Sequence, residues 1–190
     1  MTYAELIYSS VMNAMRGMQP SASPNLDAMM IAQTLFPEVA QSVSESIAAN
    51  EYRRSLLRRA KSITLVVGQA TLTDDVLTHY IADASLFDPS NLSKKYAWRD
   101  YPQFIRSSDR RLGKFTLQGG DTLQVVEPNA SFSVPLTATG TRTLVTPCVI
   151  VRPATENDDI DAPDEAISDL QEALSEALRG QLAKIAGEAA

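Results

Sequence analysis

The amino-acid sequence predicts an α+β protein, with N-terminal helices and a C-terminal helix packed as a small bundle and a central antiparallel β block of hairpins. Three observations predict this class. Apolar residues recur every three or four positions up to about residue 60, and again after about residue 160. Between these regions the apolar period falls to two, and glycine-containing turns separate the short runs. The chain therefore runs from helices to strands and back to a helix.

The first helix is predicted from its start signal. Thr2 followed by Glu5 matches a capping box, in which each side chain bonds the backbone N–H of the other residue. Gly17 is expected to end this helix, and "QPSASPN" (residues 19–25) has the composition of a loop.

A second helix is predicted from about Asn25, because apolar residues follow at a period close to 3.6. Pro37 is expected to kink or divide it near Phe36, and Asn50 to end it. The segment "EYRRSLLRR" is expected to add one or two helical turns. Its predicted inward residues are Tyr52, Leu56 and Leu57.

The central region is predicted to consist of strands and turns. "SITLVVGQATLT" indicates strand, turn and strand, "TDDVL" a turn, and "YIADASLF" a further strand ended by "DPSNLS". "RRLGKFTLQGGDTLQVVEP" is the clearest hairpin, with Gly119 and Gly120 at its turn. "FSVPLTATGTRTLVTPCVIV" indicates two or three more strands, with Gly140 at a turn and Pro135 at an edge or bulge.

The last segment is predicted to be an amphipathic helix. Asp161 is expected to cap it, Pro163 to lie in its first turn, and Asp164 and Glu165 to favour its positive end. Its apolar stripe is Ile167, Leu170, Leu174, Leu178, Leu182 and Ile185. The predicted regions are thus 1–61 (helical), 62–153 (β) and 154–190 (acidic linker and helix), together forming one compact domain.

Charge is distributed unevenly along the chain. The net charge of −6 argues against a dedicated nucleic-acid-binding protein. Residues 53–114 hold twelve basic and six acidic residues, about +6, whereas residues 156–190 hold two basic and ten acidic residues, about −8. A chain with a basic pole (residues 53–114) and an acidic pole (residues 156–190) can pack against copies of itself. The alternative, that both are solvated surfaces, stays open.

The sequence offers few groups for chemistry. Its one histidine, His79, has no second histidine to work with, and its one cysteine, Cys148, lies in an apolar run typical of a buried thiol. The acidic run "ENDDIDAPDE" lacks the spacing of a calcium loop and is interpreted as a solvated linker. No secretion signal or membrane span is expected. We predict no catalytic, cofactor-binding or metal site, and no enzymatic activity.

Two basic clusters are candidate surfaces. One broad side of a predicted helix is shared by four arginines, Arg53, Arg54, Arg58 and Arg59. This side is expected to face the phosphates of a nucleic acid without sequence specificity, another protein, or solvent. The second cluster mixes cations with aromatic residues, a composition that favours a protein interface over a base-stacking platform. Its candidate residues are Tyr96, Trp98, Arg99, Tyr101 and Phe104. Candidates on the final helix are Asp164, Glu165, Leu174 and Leu178.

Three segments point to a family. They are "TLTDDVLTHYIADASLFDPSNLSKKYAW", then "DYPQFIR…RLGKFTLQGGDTLQVVEP", and finally "APDEAISDLQEALSEALRG". In this order they resemble the head–tail adaptor (connector) proteins of tailed bacteriophages. Those proteins have helices first, a small β insertion with a "G-D-T-L" hairpin, and a late "P-(D/E)-E" helix that packs on the N-terminal ones.

The resemblance implies a non-enzymatic virion structural protein, assembled in the host cytoplasm and located in the neck of the virion. Its copies are expected to form a ring of about twelve, a dodecamer, that joins the portal protein to the next neck or tail protein and lets DNA pass. In such a ring the basic 53–114 surface of one copy faces the acidic 156–190 surface of the next, or the arginines point at the portal protein or the lumen. The alternatives are another capsid, neck or tail protein-binding component, a DNA-binding protein, or an enzyme of unrecognised type.

Overall fold

A computed structural model describes residues 1–16, 26–106, 113–127 and 136–188. The chain divides into two compact units, a helical unit of residues 1–57 and 149–190 and a β unit of residues 58–148. The sequence predicted one compact domain with boundaries after residues 61 and 153. Helices at both ends and strands between them confirm the α+β class.

Within the described residues, the α-helices are α1 (Tyr3–Ala14), α2 (Leu26–Ala49), α3 (Tyr101–Arg106) and α4 (Asp164–Glu188). In the helical unit, α4 packs on both α1 and α2. The stripe of α4 fills the space between them, because Leu170, Leu174 and Leu178 are fully buried. The packing of one apolar stripe against two helices stabilises this unit.

The predicted capping box of α1 is confirmed. The Glu5 N–H donates to Thr2 Oγ1 at 3.2 Å, and the Thr2 N–H donates to Glu5 Oε2 at 2.9 Å. The acidic run satisfies further N–H groups of the first turn, since Tyr3 donates to the Asp158 carbonyl at 3.1 Å and Ala4 to the Glu156 carbonyl at 2.9 Å. The side chains of this run are mostly exposed, as predicted for a solvated linker, and its backbone carbonyls in addition cap α1.

Helix α2 runs unbroken through Pro37, so the predicted division does not occur. Pro37 itself is exposed, whereas Phe36 and Ala40 beside it are buried. The free energy gained by burying this face of the helix exceeds the free energy lost with the one backbone hydrogen bond that proline removes. Asn50 follows the last residue of α2, as predicted, and its side chain accepts a bond from the Tyr52 N–H at 3.0 Å. The predicted end at Gly17 and loop at 19–25 lie outside the described residues.

The arginine block does not form the predicted helical turns. A single 3₁₀ turn spans Arg54–Leu57, and a strand begins at Arg58. Tyr52, expected to point inward, is 92% exposed, whereas Leu57 is buried as predicted. These residues form a strand and not a helix because the 140–147 strand pairs with them along their whole length, from Pro147 opposite Arg58 to Gly140 opposite Leu65.

The β unit contains one curled sheet. Its strands are β1 (Arg58–Leu65), β2 (Gln69–Thr71), β3 (Ser85–Asp88), β4 (Asn91–Trp98), β5 (Lys114–Leu117), β6 (Thr122–Glu127), β7 (Leu136–Thr137) and β8 (Gly140–Pro147). They lie in the order β1-β8-β3-β4-β5-β6-β2, with β7 on β6. Every pairing between these strands is antiparallel, as predicted, apart from the parallel β4–β5 pair.

The two strands at the ends of this order, β1 and β2, are joined by a tight turn. Gly68 at this turn has φ +76°, and a Cβ there would lie 2.9 Å from the Val125 carbonyl oxygen, which only glycine avoids. Val67 before it also has a positive φ, +50°, which is unusual for a β-branched residue. The turn therefore draws the sheet together around one core, which includes Leu65, Leu86, Phe115, Leu123 and Leu144.

The other turns and strands are mostly as predicted. Gly119 and Gly120 have φ of +60° and +50° in the β5–β6 hairpin, and Gly140 opens β8 with φ +84°. "YIADASLF" is a strand only in its second half, because Thr78–Asp83 form a 3₁₀ helix.

Strand β4 was not predicted. Helix α4 begins at Asp164, and the carbonyl of the preceding Pro163 accepts its first helical bond from the Ile167 N–H at 3.0 Å. Pro135 lies outside the described residues.

Candidate interface

The end of β4, helix α3 and strand β5 bring together most of the predicted aromatic–basic cluster. The rings of Trp98 and Phe115 meet edge to face, with centroids 5.4 Å apart. The backbone of Arg99 is bound to strand β5, since the Arg99 N–H donates to the Phe115 carbonyl at 3.0 Å. The next turn begins α3, in which Phe104 N donates to the Asp100 carbonyl at 2.7 Å.

Side chains of β5 and its turn hold α3 against the sheet. Lys114 is buried, and its Nζ lies 5.8 Å from the centre of the Phe104 ring. A cation at this distance from a ring face is attracted to it. Gln118 Nε2 donates to the Tyr101 hydroxyl at 3.2 Å. The position of α3 is thus set by polar and cation–π contacts.

Helix α3 presents apolar side chains to the outside. Within the described part of the chain, none of its side chains is buried. Ile105 is 64% exposed and Tyr101 38% exposed. We define the α3 surface as Arg99, Tyr101, Phe104, Ile105 and Arg106; Trp98 was predicted to belong to it, but it is half-buried and packs against the core of the sheet. Exposed apolar residues grouped with arginine are typical of protein interfaces.

Tyr96 was predicted to belong to this surface, but it is buried inside the sheet. Its hydroxyl donates to Glu127 Oε1 at 2.8 Å and accepts from Arg142 Nε at 2.9 Å. Arg142 also forms an ion pair with Glu127. Alternation explains the correction, because Tyr96 lies opposite the inward-facing Leu86.

This buried network perturbs the ionisation of its members. Burial raises the pKa of the Tyr96 hydroxyl, and the neighbouring Glu127 carboxylate raises it further. Burial acts to lower the pKa of the Arg142 guanidinium, but its bonds to Glu127 and Tyr96 raise that pKa overall. Sequence reasoning missed Glu127 and Arg142. The signal for Glu127 was the alternation along its strand, because it lies two residues beyond the inward-facing Val125 and four beyond Leu123.

The four arginines of the first block do not share one side of a helix. In the helical unit, Arg53 Nε donates to Glu165 Oε1 at 2.9 Å and its Nη2 to Asp169 Oδ2 at 2.6 Å. Arg54 Nε donates to the Ala48 carbonyl at 2.6 Å. Both side chains are only partly exposed.

Arg58 and Arg59 belong to strand β1 of the β unit. Arg58 Nη2 donates to the Asp83 carbonyl at 2.7 Å, and Arg59 Nη1 to the Arg58 carbonyl at 3.0 Å. Adjacent strand residues point to opposite faces, so these two arginines do not form one basic surface.

The final helix contributes less surface than predicted. Leu174 and Leu178 are fully buried against the other helices and offer nothing to a partner. Glu165 pairs with Arg53 of the same chain, so at this position the basic and acidic poles meet within one copy. Asp164 is exposed.

A second candidate surface, which the sequence did not indicate, is a groove of about 400 Å³ between α2 and α4. Its floor is half-buried and apolar, and its rim carries exposed carboxylates. The floor includes Leu35, Val39, Ala173 and Ala177, and the rim includes Glu38 and Glu176. We call it the α2–α4 groove. It depends on how two helices pack, which periodicity alone does not specify.

The remaining reactive groups are dispersed. His79 is exposed in the 3₁₀ helix, and Cys148 is buried. The described residues contain no group of three or more His, Cys, Asp or Glu side chains that could hold a metal ion. None of the helices in the described part of the chain combines the length and the apolar character of a membrane span.

Comparison with known proteins gives no relative from which to transfer a function. No protein-family model matches the chain. A search of the curated proteins also finds no significant match.

Proposed function

We propose that this chain is a head–tail adaptor of a tailed bacteriophage, a non-enzymatic structural protein of the virion neck. In this proposal its copies form a ring that joins the portal protein to the next neck or tail protein, and DNA passes through the centre. The ring assembles in the host cytoplasm.

The observation that carries the proposal is the packing of α4. This helix begins at the "PDE" motif and lies against α1 and α2, with the β unit inserted between them in the sequence. The resemblance implies this order of elements and this packing. The "GGDTL" hairpin is also present, as the β5–β6 turn of the insertion.

The alternative is a protein-binding component of another part of the capsid, neck or tail. The α3 surface favours it, because exposed apolar and basic groups fit a protein partner whether or not the chain forms a ring. The two functions differ in their requirement for the portal protein.

Mixing the purified chain with the portal protein encoded in the same genome tests the proposal. We expect a ring of this chain seated on the portal ring, visible by electron microscopy, and a matching mass by light scattering. A chain that neither binds the portal nor forms rings in its presence contradicts the proposal. Binding to a different virion protein instead supports the alternative.

A further inference from the structure

We propose that the α3 surface docks in the α2–α4 groove of a second copy of this chain. The inference rests on the adaptor function proposed above, since a ring needs one surface on each copy that fits a different surface on the next. Such a head-to-tail contact closes into a ring when the rotation between copies is suitable.

The first argument is apolar complementarity. Helix α3 exposes Ile105 and Tyr101, whereas the floor of the α2–α4 groove exposes parts of Leu35 and Val39 beside the small Ala173 and Ala177. Small residues on α4 leave room for a side chain from outside. Insertion of Ile105 between these residues removes apolar surface of both partners from water, which favours association.

The second argument is charge. The segment 94–114 that contains α3 has seven basic and two acidic residues, a net charge of +5. Helices α2 and α4 together have nine acidic and two basic residues, a net charge of −7. Some of this charge is used within the chain, because Glu165 and Asp169 bind Arg53. Glu38 and Glu176 on the groove rim are exposed and available to Arg106 and Arg99 of a second copy.

Arg99 and Arg106, beside the apolar Tyr101 and Ile105, thus match the exposed Glu38 and Glu176 beside the apolar floor. Complementary charges of this kind orient two partners and suppress wrong pairings. A nucleic acid is the poorer occupant of the α3 surface, because it offers no apolar groove for Ile105. An acidic partner from another protein is the competing occupant, and the experiment separates it from a second copy.

The test traps the contact with a disulfide between two different copies. One chain carries Ile105→Cys and a second carries Ala177→Cys, and the two are mixed at high concentration under mild oxidation. The native Cys148 is buried, so both chains retain it. We expect a disulfide-linked dimer from this mixture. The matched control replaces Ala177→Cys by Tyr52→Cys, at a highly exposed position of the same unit, and should yield at least about tenfold less dimer.

Charge reversal then tests the orientation. Arg106→Glu in the first chain, or Glu176→Lys in the second, should each lower the yield, and the two together should restore it. Circular dichroism of each variant checks that it is folded. A yield equal to that of the Tyr52→Cys control overturns the proposal.

The two proposals fail in different ways. If the trapped dimer forms but the chain does not bind the portal, the docking holds and the adaptor function is wrong. If the chain forms rings on the portal without the trapped dimer, the adaptor function holds and this contact is wrong.

Discussion

The two units of the chain use arginine in opposite ways. In the helical unit, Arg53 binds Glu165 and Asp169 at a surface where all three side chains remain at least one-third exposed. In the β unit, Arg142 binds Glu127 and Tyr96 inside the sheet, with the charged side chains only 10% and 13% exposed. Water can replace the partners of Arg53 but not those of Arg142. We therefore expect the arginine–carboxylate pair of the helical unit to be dispensable and that of the β unit to be necessary for stability.

The unit that responds to a mutation can be identified, because the only tryptophan, Trp98, lies in the β unit. Its fluorescence reports unfolding of the β unit. The longest helices lie in the helical unit, so the far-ultraviolet circular dichroism signal mainly reports that unit.

The largest expected effect is that of Glu127→Gln. This change leaves the Arg142 guanidinium buried without its counter-charge, which should lower the free energy of unfolding by about 3 kcal/mol or more. Urea unfolding followed by Trp98 fluorescence measures it. Glu165→Gln is the matched control at the exposed pair, and it should lower the stability of the helical unit, measured by circular dichroism, by less than about 1 kcal/mol. A loss below about 1 kcal/mol for Glu127→Gln would show that the buried pair is as replaceable as an exposed one.

Leu174→Ala should produce a slightly smaller effect in the helical unit. The side chain is fully buried, and its removal leaves a cavity that typically costs about 2–5 kcal/mol, toward the lower end where neighbours can relax. Urea unfolding followed by circular dichroism measures this loss. Ile185→Ala on the same helix is the control, because Ile185 is 46% exposed and its change should stay within about 0.5 kcal/mol. Equal effects at both positions would contradict the packing of α4.

Val67→Asn should stabilise the β unit. Val67 has a φ of +50°, which costs a β-branched residue about 1–2 kcal/mol, and asparagine adopts this conformation more readily. We expect a gain of about 1 kcal/mol in the free energy of unfolding, measured by Trp98 fluorescence. Val66→Asn is the control, since Val66 is equally exposed but has no positive φ. A gain at both positions would trace the effect to lost apolar exposure and not to the backbone.

The smallest expected effect is that of Arg53→Gln. The pKa of the Arg53 guanidinium is raised mainly by its hydrogen bond to Asp169, but the group is open to solvent, so its loss should shift the unfolding midpoint only slightly. The shift should disappear at 1 M salt, where exposed charges are screened. A shift that persists at high salt would indicate that Arg53 is buried in a larger assembly.

Local patterns in the sequence were enough to predict the elements that local interactions determine. The capping box of α1 needs only Thr2 and Glu5, and the β5–β6 turn needs only two adjacent glycines. The aromatic–basic composition of residues 96–104 likewise included Tyr101, which α3 exposes, whereas the role of this segment as an interface stays a prediction. In each case the residues that specify the feature are close together in the chain.

Features that depend on distant partners were not predicted. Arg58 and Arg59 are compatible with a helix, and only their pairing with residues 146–147 makes them a strand. The partners of Arg142 come from two other strands, so alternation can place Glu127 on the inward face but does not indicate which side chains it meets there. The α2–α4 groove joins segments more than a hundred residues apart.

The helical unit is built from both ends of the described chain, and the β unit from its middle. During translation, a β unit that is complete by residue 148 can therefore fold before α4 has emerged from the ribosome. Until then α1 and α2 have no α4 stripe to cover their apolar faces. Helix α4, which is synthesised after the β unit, thus completes the unit to which the earlier helices α1 and α2 belong.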